Sequence, residues 1–302
     1  MNKIVLIGCG NVGMAYSYAL VNQKEYVDEL VLIDINKDKC IGEAMDLNHC
    51  MAYSPSKIKV RVGDYNECSD AKIVVIAAGA NQAPGETRMD LIDKNSKIFK
   101  SIIDNVMASG FNGIFLVATN PLDVMTYLTL KYSGLPINRV IGSGTTLDTA
   151  RLRFLLSEKL GVCPKNIEAY VIGEHGDSEF IPWSNVNIAY KKISDVLSDD
   201  ILIDIENEVR NSAYEIINRK GATYYGIGMC LVRITNAILE DKNIILPVSS
   251  WDKENEVCIS TPAIVGKDGV KDKIFIPLDE EETSKLVNSI NVIKEAINNL
   301  KS

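Results

Sequence analysis

The chain of 302 residues has no apolar run long enough to span a bilayer and no excess of positive charge. The apolar run near its start covers only residues 4–7 before glycines intervene, which is too short for a signal-peptide core. With 32 basic and 40 acidic residues, the formal net charge is −8. Nonspecific nucleic-acid binding needs basic residues that displace counterions from phosphate, so this charge disfavours it. We therefore expect neither a membrane nor a nucleic-acid partner.

Cysteine and histidine show no ligand-like pattern. The seven cysteines are odd in number and none forms a C-x-x-C pair, so neither a disulfide framework nor a metal site is expected. A reducing, cytoplasmic location fits this usage of cysteine. Only two histidines occur, His49 and His175. We interpret His49, on a predicted helix, as a surface or structural residue.

Short β-rich runs alternate with longer amphipathic stretches in the first half of the chain. The predicted strands cover 4–7, 30–33, 58–62, 73–77 and 114–117, and the predicted helices cover 12–23, 37–52, 87–109 and 122–132. Continuous apolar runs are typical of strands covered on both faces, so the alternation predicts an α/β fold with a doubly wound parallel sheet. Ligands bind such sheets at the carboxyl ends of the strands.

The second half changes character near residue 142. We place a domain boundary there, which divides the chain into 1–142 and 143–302. The predicted helices of the second part cover 146–160, 199–219, 224–240 and 280–300, and its predicted strands cover 167–172, 244–249, 256–265 and 273–276. This mixture predicts an α+β domain that packs closely on the first, since no long linker separates them.

A glycine-rich fingerprint follows the first predicted strand and precedes the first predicted helix. It reads Gly8, Cys9, Gly10, Asn11, Val12 and Gly13. The first glycine permits a tight turn, the second leaves room for a pyrophosphate, and the third lets helix and strand approach. Asp34 ends the second strand and can bind ribose hydroxyls while repelling a 2′-phosphate, which favours NAD over NADP. The alternative is a strand–turn–helix whose glycines serve packing alone.

Three further side chains are candidates for proton transfer and for binding an anionic substrate. His175 lies between two glycines, and its imidazole can exchange a proton near neutral pH, although a structural histidine is the alternative. Asp148 and Arg151 are three residues apart on a predicted helix. They form either a simple ion pair, or a set in which Asp148 orients His175 and Arg151 grips a carboxylate. Their spacing does not choose between these.

The segment 81–88 follows the fourth predicted strand and is predicted to be a loop. Pro84 and Gly85 mark it as a turn that could close over a ligand. Arg88 is then either a solvated arginine at a helix start or a side chain that the closing loop carries to the substrate carbonyl.

Together these segments resemble the L-lactate/malate dehydrogenase family, and within it the lactate branch of bacterial type. The matching parts are residue 34 and the segments 8–13, 78–88, 118–121, 147–153, 173–177 and 220–227. They follow the family's order over nearly the whole chain. The resemblance implies a Rossmann domain followed by a mixed α/β substrate domain, NAD as cofactor, and a homotetramer of the kind that serves glycolysis and fermentation.

The resemblance also implies reversible hydride transfer between NADH and pyruvate, giving L-lactate. It makes His175 the general acid/base, Asp148 its carboxylate partner, Arg151 the clamp for the substrate carboxylate, and Arg88 the polariser of the carbonyl. The alternatives are malate dehydrogenase or another 2-hydroxy acid dehydrogenase. A noncatalytic NAD-binding protein is a further alternative, but it predicts the loss of such residues, and all four are present.

Five more residues acquire expected roles from the resemblance. Asn120 would contact substrate and the nicotinamide side of the site, and Thr223 would line the substrate pocket. Ile227 would pack on the nicotinamide ring, while Gly79 and Ala80 would contact the cofactor.

Substrate choice is expected to depend on Gln82. In this family an arginine at that loop position favours the second carboxylate of oxaloacetate, whereas glutamine fits the methyl group of pyruvate. A buried carboxylate without a cation is strongly disfavoured, which agrees with this assignment.

One departure from the family concerns regulation. Many bacterial members are activated by fructose 1,6-bisphosphate, which an arginine and a histidine bind between subunits. Arg153 matches the arginine, but Glu168 aligns with the histidine. Because a carboxylate repels a phosphate, we predict weak activation or none.

Overall fold

The chain forms a central sheet with helices packed on both faces. The computed structural model describes residues 1–23, 26–80 and 88–300, and within 88–90 it describes the backbone alone. The first half contains β1 (Lys3–Ile7), α1 (Asn11–Val21), β2 (Glu29–Ile33), α2 (Lys37–His49), β3 (Lys59–Val62), β4 (Ile73–Ile76), α3 (Arg88–Ala108), β5 (Ile114–Val117), α4 (Leu122–Ser133) and β6 (Val140–Gly142).

These six strands are parallel and lie in the order β3-β2-β1-β4-β5-β6. This is the doubly wound order, in which the direction of winding reverses between β1 and β4. The predicted α/β fold with a Rossmann-type parallel sheet is therefore confirmed. The reversal leaves a crevice at the carboxyl ends of β1 and β4, which is where such folds bind their ligands.

The alternation of side chains along β1 explains why both faces of the sheet are covered. Ile4 and Leu6 belong to one apolar cluster, whereas Val5 and Ile7 belong to the cluster on the opposite face. Successive strand residues point to opposite faces, so an unbroken apolar run needs a helical layer on each side.

The second half continues the same sheet in the antiparallel sense. It contains α5 (Thr146–Leu160), β7 (Asn187–Ile188), β8 (Lys191–Lys192), α6 (Asp199–Lys220), α7 (Tyr225–Leu239), β9 (Ile244–Asp252), β10 (Val257–Gly266), β11 (Gly269–Lys273) and α8 (Glu280–Asn298). Gly142 of β6 pairs with Ser249 of β9, and β9, β10 and β11 complete a sheet of nine strands. The mixed α/β character predicted for this half is confirmed.

The strand predicted at 167–172 is wrong. The backbone there makes isolated bridges instead, from Glu168 to Asn187 and from Ile172 to Phe180. Side-chain hydroxyls of α5 and of the residue before it occupy the backbone groups that a ladder would need. Thr149 Oγ1 accepts a hydrogen bond from the Val171 N–H at 2.9 Å, and the Thr145 hydroxyl donates one to the Val171 carbonyl.

The strand predicted at 273–276 is also misplaced, because β11 runs from Gly269 to Lys273 and ends where that strand was expected to begin. Gly269, with φ of +96°, forms the tight connection from β10. Pro277 follows shortly after and lacks the N–H that a continuing ladder would use. The short strand β6 has no counterpart among the predicted strands.

Helix α7 packs closely on α1, the helix that follows the glycine-rich turn. A Cβ on Gly228 would lie 2.8 Å from the carbonyl carbon of Ala15, so the two backbones approach directly. The buried hydroxyls of Tyr16 and Thr235 are 3.0 Å apart across the same interface. This contact holds Ile227, the neighbour of Gly228, near the start of α1. No helix among the described residues is both long and apolar enough to cross a bilayer.

We expect Gly228→Ala to lower the free energy of unfolding by about 1–3 kcal/mol, since the added methyl group must push the α1 backbone away. Gly42→Ala in α2 is the matched control, because no described atom lies within 4 Å of its added Cβ. That change should be neutral or stabilise the helix by up to about 1 kcal/mol. Urea unfolding of both variants checks this, and equal effects of the two would contradict the packing described here.

Candidate active site

The turn between β1 and α1 has the geometry of a phosphate cradle. Gly8 has φ of +104°, and a Cβ there would lie 2.5 Å from the backbone nitrogen of Ala78. No described atom lies within 4 Å of a Cβ on Gly10, and no described side chain caps the N-terminus of α1. The first N–H groups of α1 and the positive end of its dipole are thus open to an anion. Asn11 and Val12 form the first helical residues here.

Asp34 lies beside this turn at the carboxyl end of β2. Its Oδ2 accepts a hydrogen bond from the Cys9 N–H at 2.7 Å, and its Oδ1 accepts one from the Asn36 N–H at 2.9 Å. The Gly8 N–H also bonds the Ile33 carbonyl at 2.9 Å, which fixes the turn against β2. A half-buried carboxylate in this place suits a ribose diol and opposes a 2′-phosphate, so the residues fit NAD.

The ends of β4 and β5 are joined by a buried amide. Asn95 of α3 accepts a hydrogen bond from the Ala80 N–H at 2.8 Å and donates one to the Asn120 carbonyl at 3.0 Å. A Cβ on Gly79 would lie 2.6 Å from Cγ2 of Thr119, so the two strand ends touch. Gly79, Ala80 and Asn120, which were predicted to contact the cofactor, therefore lie side by side.

Asp148 contacts both of the other charged residues that the sequence singled out. Its Oδ2 lies 2.7 Å from His175 Nδ1, and its Oδ1 accepts a hydrogen bond from Arg151 Nη1 at 2.6 Å. The Asp148 side chain is only 2% exposed, whereas His175 retains 24%. The ion pair and the His175-orienting contact, which spacing left as alternatives, are thus present together in one carboxylate.

A second buried carboxylate holds the backbone of His175. Asp123, in the first turn of α4, accepts the His175 N–H at 2.7 Å and the Ser249 hydroxyl at 2.6 Å. Asp123 follows Asn120 by three residues across the cis Asn120–Pro121 bond, so it ties the imidazole to the carboxyl end of β5. Burial raises the pKa of Asp123 to about 6, although the hydrogen bonds from Ser249 and His175 oppose this.

The electrostatics of the pair favour an imidazolium facing a carboxylate. Burial alone would lower the pKa of His175, but the Asp148 charge and hydrogen bond outweigh it and raise that pKa to about 9. Burial would raise the pKa of Asp148, yet His175 and Arg151 hold it below its ordinary value. Near neutral pH the imidazole therefore carries a proton that it can give to a bound acceptor.

The start of α7 approaches this group from the other side. A Cβ on Gly226 would lie 2.6 Å from Cδ1 of Leu147, so the start of α7 meets the start of α5 next to Asp148. Thr223, half-buried, lies in the connection just before α7. Ile227 is half-buried and packs on the same apolar cluster as Val12 of the glycine-rich turn.

Two predicted residues are not placed. Gln82 lies outside the described residues, and Arg88 is the first residue of α3 with its side chain outside the described part. Their roles stay predictions. Asn95, Asp123 and the buried Glu179 were not predicted as site residues, because an amide or acid on a helix or loop is an ordinary surface feature until its burial is known.

Two family models match the chain. They describe the lactate/malate dehydrogenase NAD binding domain, at residues 2–142, and its alpha/beta C-terminal domain, at residues 145–302. The chain belongs to the lactate/malate dehydrogenase family. The matched NAD binding domain includes the glycine-rich turn and Asp34.

Individual members of the family are similar over almost their full length. The L-lactate dehydrogenase of Geobacillus sp. (strain WCH70) is 52% identical, over 98% of this chain and 96% of that protein. A lactate dehydrogenase from a Medee basin deep-sea metagenome library superposes with a TM-score of 0.96 at 50% identity, over 99% of this chain and 98% of that one. The minor L-lactate dehydrogenase of Enterococcus mundtii, in its ligands-bound form, gives 0.97 at 42% identity with the same coverage.

Asp148→Asn tests the electrostatic coupling in the site. The change removes the charge beside His175 and keeps the side-chain shape, so we expect the pKa of His175 to fall from about 9 by about 1–3 units. Imidazole signals followed by NMR against pH measure this directly, because the chain has only two histidines. Exposed His49 is the internal control. An unshifted His175 would mean that Asp148 does not set its protonation.

Proposed function

We propose that the protein is an NAD-dependent L-lactate dehydrogenase that interconverts pyruvate and L-lactate, with His175 as the general acid/base. The observation that supports this proposal is the His175–Asp148–Arg151 set, in which an imidazole and a guanidinium each contact one oxygen of a single buried acid. The close similarity to proteins named L-lactate dehydrogenase supports the choice of substrate.

The cofactor fits the residues at the carboxyl ends of the strands. We assign its pyrophosphate to the turn at 8–13, its ribose to Asp34, and its nicotinamide end to the region of Gly79, Ala80, Asn120 and Ile227. Bound NAD supplies the nicotinamide that gives or accepts the hydride. The protein's own residues then position the substrate and handle the proton.

His175 acts through its Nε2, because Nδ1 is engaged by Asp148. In pyruvate reduction the imidazolium gives its proton to the carbonyl oxygen, and in lactate oxidation the neutral imidazole takes it back. Asp148 remains ionised throughout and stabilises the charged ring. Since the pKa of His175 is about 9, reduction is favoured below that pH and oxidation gains as pH rises through it.

Arg151 and Arg88 share the binding of the substrate's oxygens. The contact with Asp148 uses Nη1 of Arg151, and the Nε and Nη2 edge of its planar guanidinium can face a carboxylate in a two-pronged contact. Arg88 polarises the carbonyl in the transition state. Asn120 and Thr223 complete the pocket.

Several broader features are part of the same proposal. We propose that residues 1–142 and 143–302 are the cofactor and substrate domains, and that the enzyme is a cytoplasmic homotetramer of sugar fermentation. We also propose that fructose 1,6-bisphosphate activates it weakly or not at all. Arg153 donates a hydrogen bond to the Ala169 carbonyl at 3.1 Å and lies 5.0 Å from the centre of the Tyr170 ring. The exposed Glu168 directly precedes Ala169 in the sequence, and its carboxylate would repel a phosphate group.

An NADH-absorbance assay with pyruvate and with oxaloacetate tests the proposal. We expect turnover with a clear preference for pyruvate, and His175→Asn should lower kcat by about 100- to 10,000-fold while NADH binding persists. His49→Asn is the matched control and should keep its activity. Preference for oxaloacetate would favour malate dehydrogenase, and binding of NADH without turnover on either acid would favour a noncatalytic NAD-binding protein.

Gln82→Arg tests the selector of substrate. An added guanidinium should pair with the second carboxylate of oxaloacetate and move the ratio of kcat/KM values toward that acid by about 100-fold or more. Gln23→Arg is the control, because it adds the same charge just after the C-terminus of α1, whereas the glycine-rich turn lies at the N-terminus of that helix. The ratio of kcat/KM values of this variant should equal that of the parent protein. Equal ratios in the two variants would remove Gln82 from this role.

A further inference from the structure

We propose that Glu179 is a positioning residue whose carboxyl group is protonated and donates a hydrogen bond to the Asp148 carboxylate. This inference rests on the proposed function, because it concerns the proton affinity of His175. Glu179 would thereby set how readily the imidazole gives and takes its proton.

Glu179 is placed directly beside the pair. It follows His175 by four residues in the irregular segment before Phe180, and it is only 6% exposed. One carboxylate oxygen of Glu179, one of Asp148 and a ring nitrogen of His175 all lie within 4.8 Å of one another. The backbone N–H of Glu179 bonds the Gly176 carbonyl at 3.2 Å, which fixes the turn that brings it there.

Two carboxylates this close in a buried place cannot both be ionised without a large electrostatic cost. Asp148 keeps the negative charge, since Arg151 and His175 both neutralise it. The proton therefore resides on Glu179. Burial, and next the Asp148 charge, raise the pKa of Glu179 to about 9, which agrees with the geometric argument.

The other titratable groups around the pair leave this assignment intact. The buried Glu174 accepts the Ser178 hydroxyl at 2.6 Å, and burial, with the Asp148 charge, raises the pKa of the Cys230 thiol of α7 to about 12, so that this thiol is neutral. Arg151 faces Asp148 from α5, and Asp123 holds the backbone of His175 from α4. From α6, Arg210 Nη2 contacts the Glu179 backbone carbonyl at 3.5 Å and forms an ion pair with Glu206 Oε1 at 3.1 Å. The Arg210 charge is thus shared with another acid.

A metal ion is a poor alternative occupant of this cluster. The Arg151 guanidinium lies 2.6 Å from Asp148 Oδ1, where its positive charge repels a cation. A proton shared between the two acids satisfies the same oxygens without adding that repulsion. The hydrogen bond draws charge from Asp148, so it weakens the hold of Asp148 on the imidazolium proton.

Two variants distinguish this role from simple packing. Glu179→Leu removes the donor at similar size, and we expect it to raise the pKa of His175 by about half to one unit. Glu179→Gln keeps an N–H donor, so it should shift the pKa of His175 by less than half as much as Glu179→Leu does. Imidazole titration by NMR, with EDTA present and His175→Asn to assign the signals, measures both shifts. Lactate oxidation should begin at a correspondingly higher pH in Glu179→Leu.

A decrease or no change in the pKa of His175 in these variants would overturn the proposal. If Glu179 were ionised, both variants would remove a negative charge and lower the pKa of His175. If Glu179 served packing alone, the variants would lose thermal stability without moving that pKa. Either result would exclude a protonated, hydrogen-bonding Glu179.

Infrared difference spectra give a second measurement on the folded parent protein, in case Glu179→Leu does not fold. Parent minus Glu179→Gln at pH 7 should show the C=O stretch of a protonated carboxylic acid, and this band should vanish as pH rises past about 9. Its absence at pH 7 would overturn the proposal. Neither spectroscopic test needs substrate or cofactor. If the protein showed the expected pKa shifts and infrared band but had no activity, the proposed function would be wrong and the role of Glu179 would still be supported.

Discussion

The chemistry of this site depends on keeping one carboxylate, Asp148, ionised while it is almost completely buried. An isolated buried carboxylate would take up a proton, but Arg151 and His175 each bond one of its oxygens and hold its pKa down. The charge so retained raises the proton affinity of the imidazole and fixes the position of the guanidinium. A single buried charge thus orients two side chains with different tasks.

The backbone around this charge is fixed by polar contacts that do not themselves react. The Asp123 carboxylate accepts hydrogen bonds from the His175 N–H and from the Ser249 hydroxyl. The Asn95 side chain joins the ends of β4 and β5. These contacts connect the imidazole to the carboxyl edge of the sheet, where doubly wound folds bind their ligands. The position of the imidazole is consequently set by the sheet, and sites held by strands and helices are more precise than sites held by loops.

The fold and the glycine-rich turn were predictable because their signals are local in the sequence. The glycines of 8–13 and Asp34 lie at fixed offsets from strands whose unbroken apolar runs are plain to read. Asp123 and Glu179 lacked such a signal, because only burial distinguishes them from surface acids. The strand expected at 167–172 failed for a related reason, since hydroxyls of Thr145 and Thr149, distant in sequence, take the backbone groups of Val171.

The junction of β6 with β9 restricts how the protein can move. A Cβ on Gly144 would collide with main-chain atoms of Pro247 and Ser249, so main chain lies directly on main chain where the parallel and antiparallel parts of the sheet meet. A Cβ on Gly142 would collide with the side chains of Thr126 and Ser249. A rigid-body rotation of one half relative to the other would have to break these contacts. The halves should therefore respond to heat or denaturant as one cooperative unit.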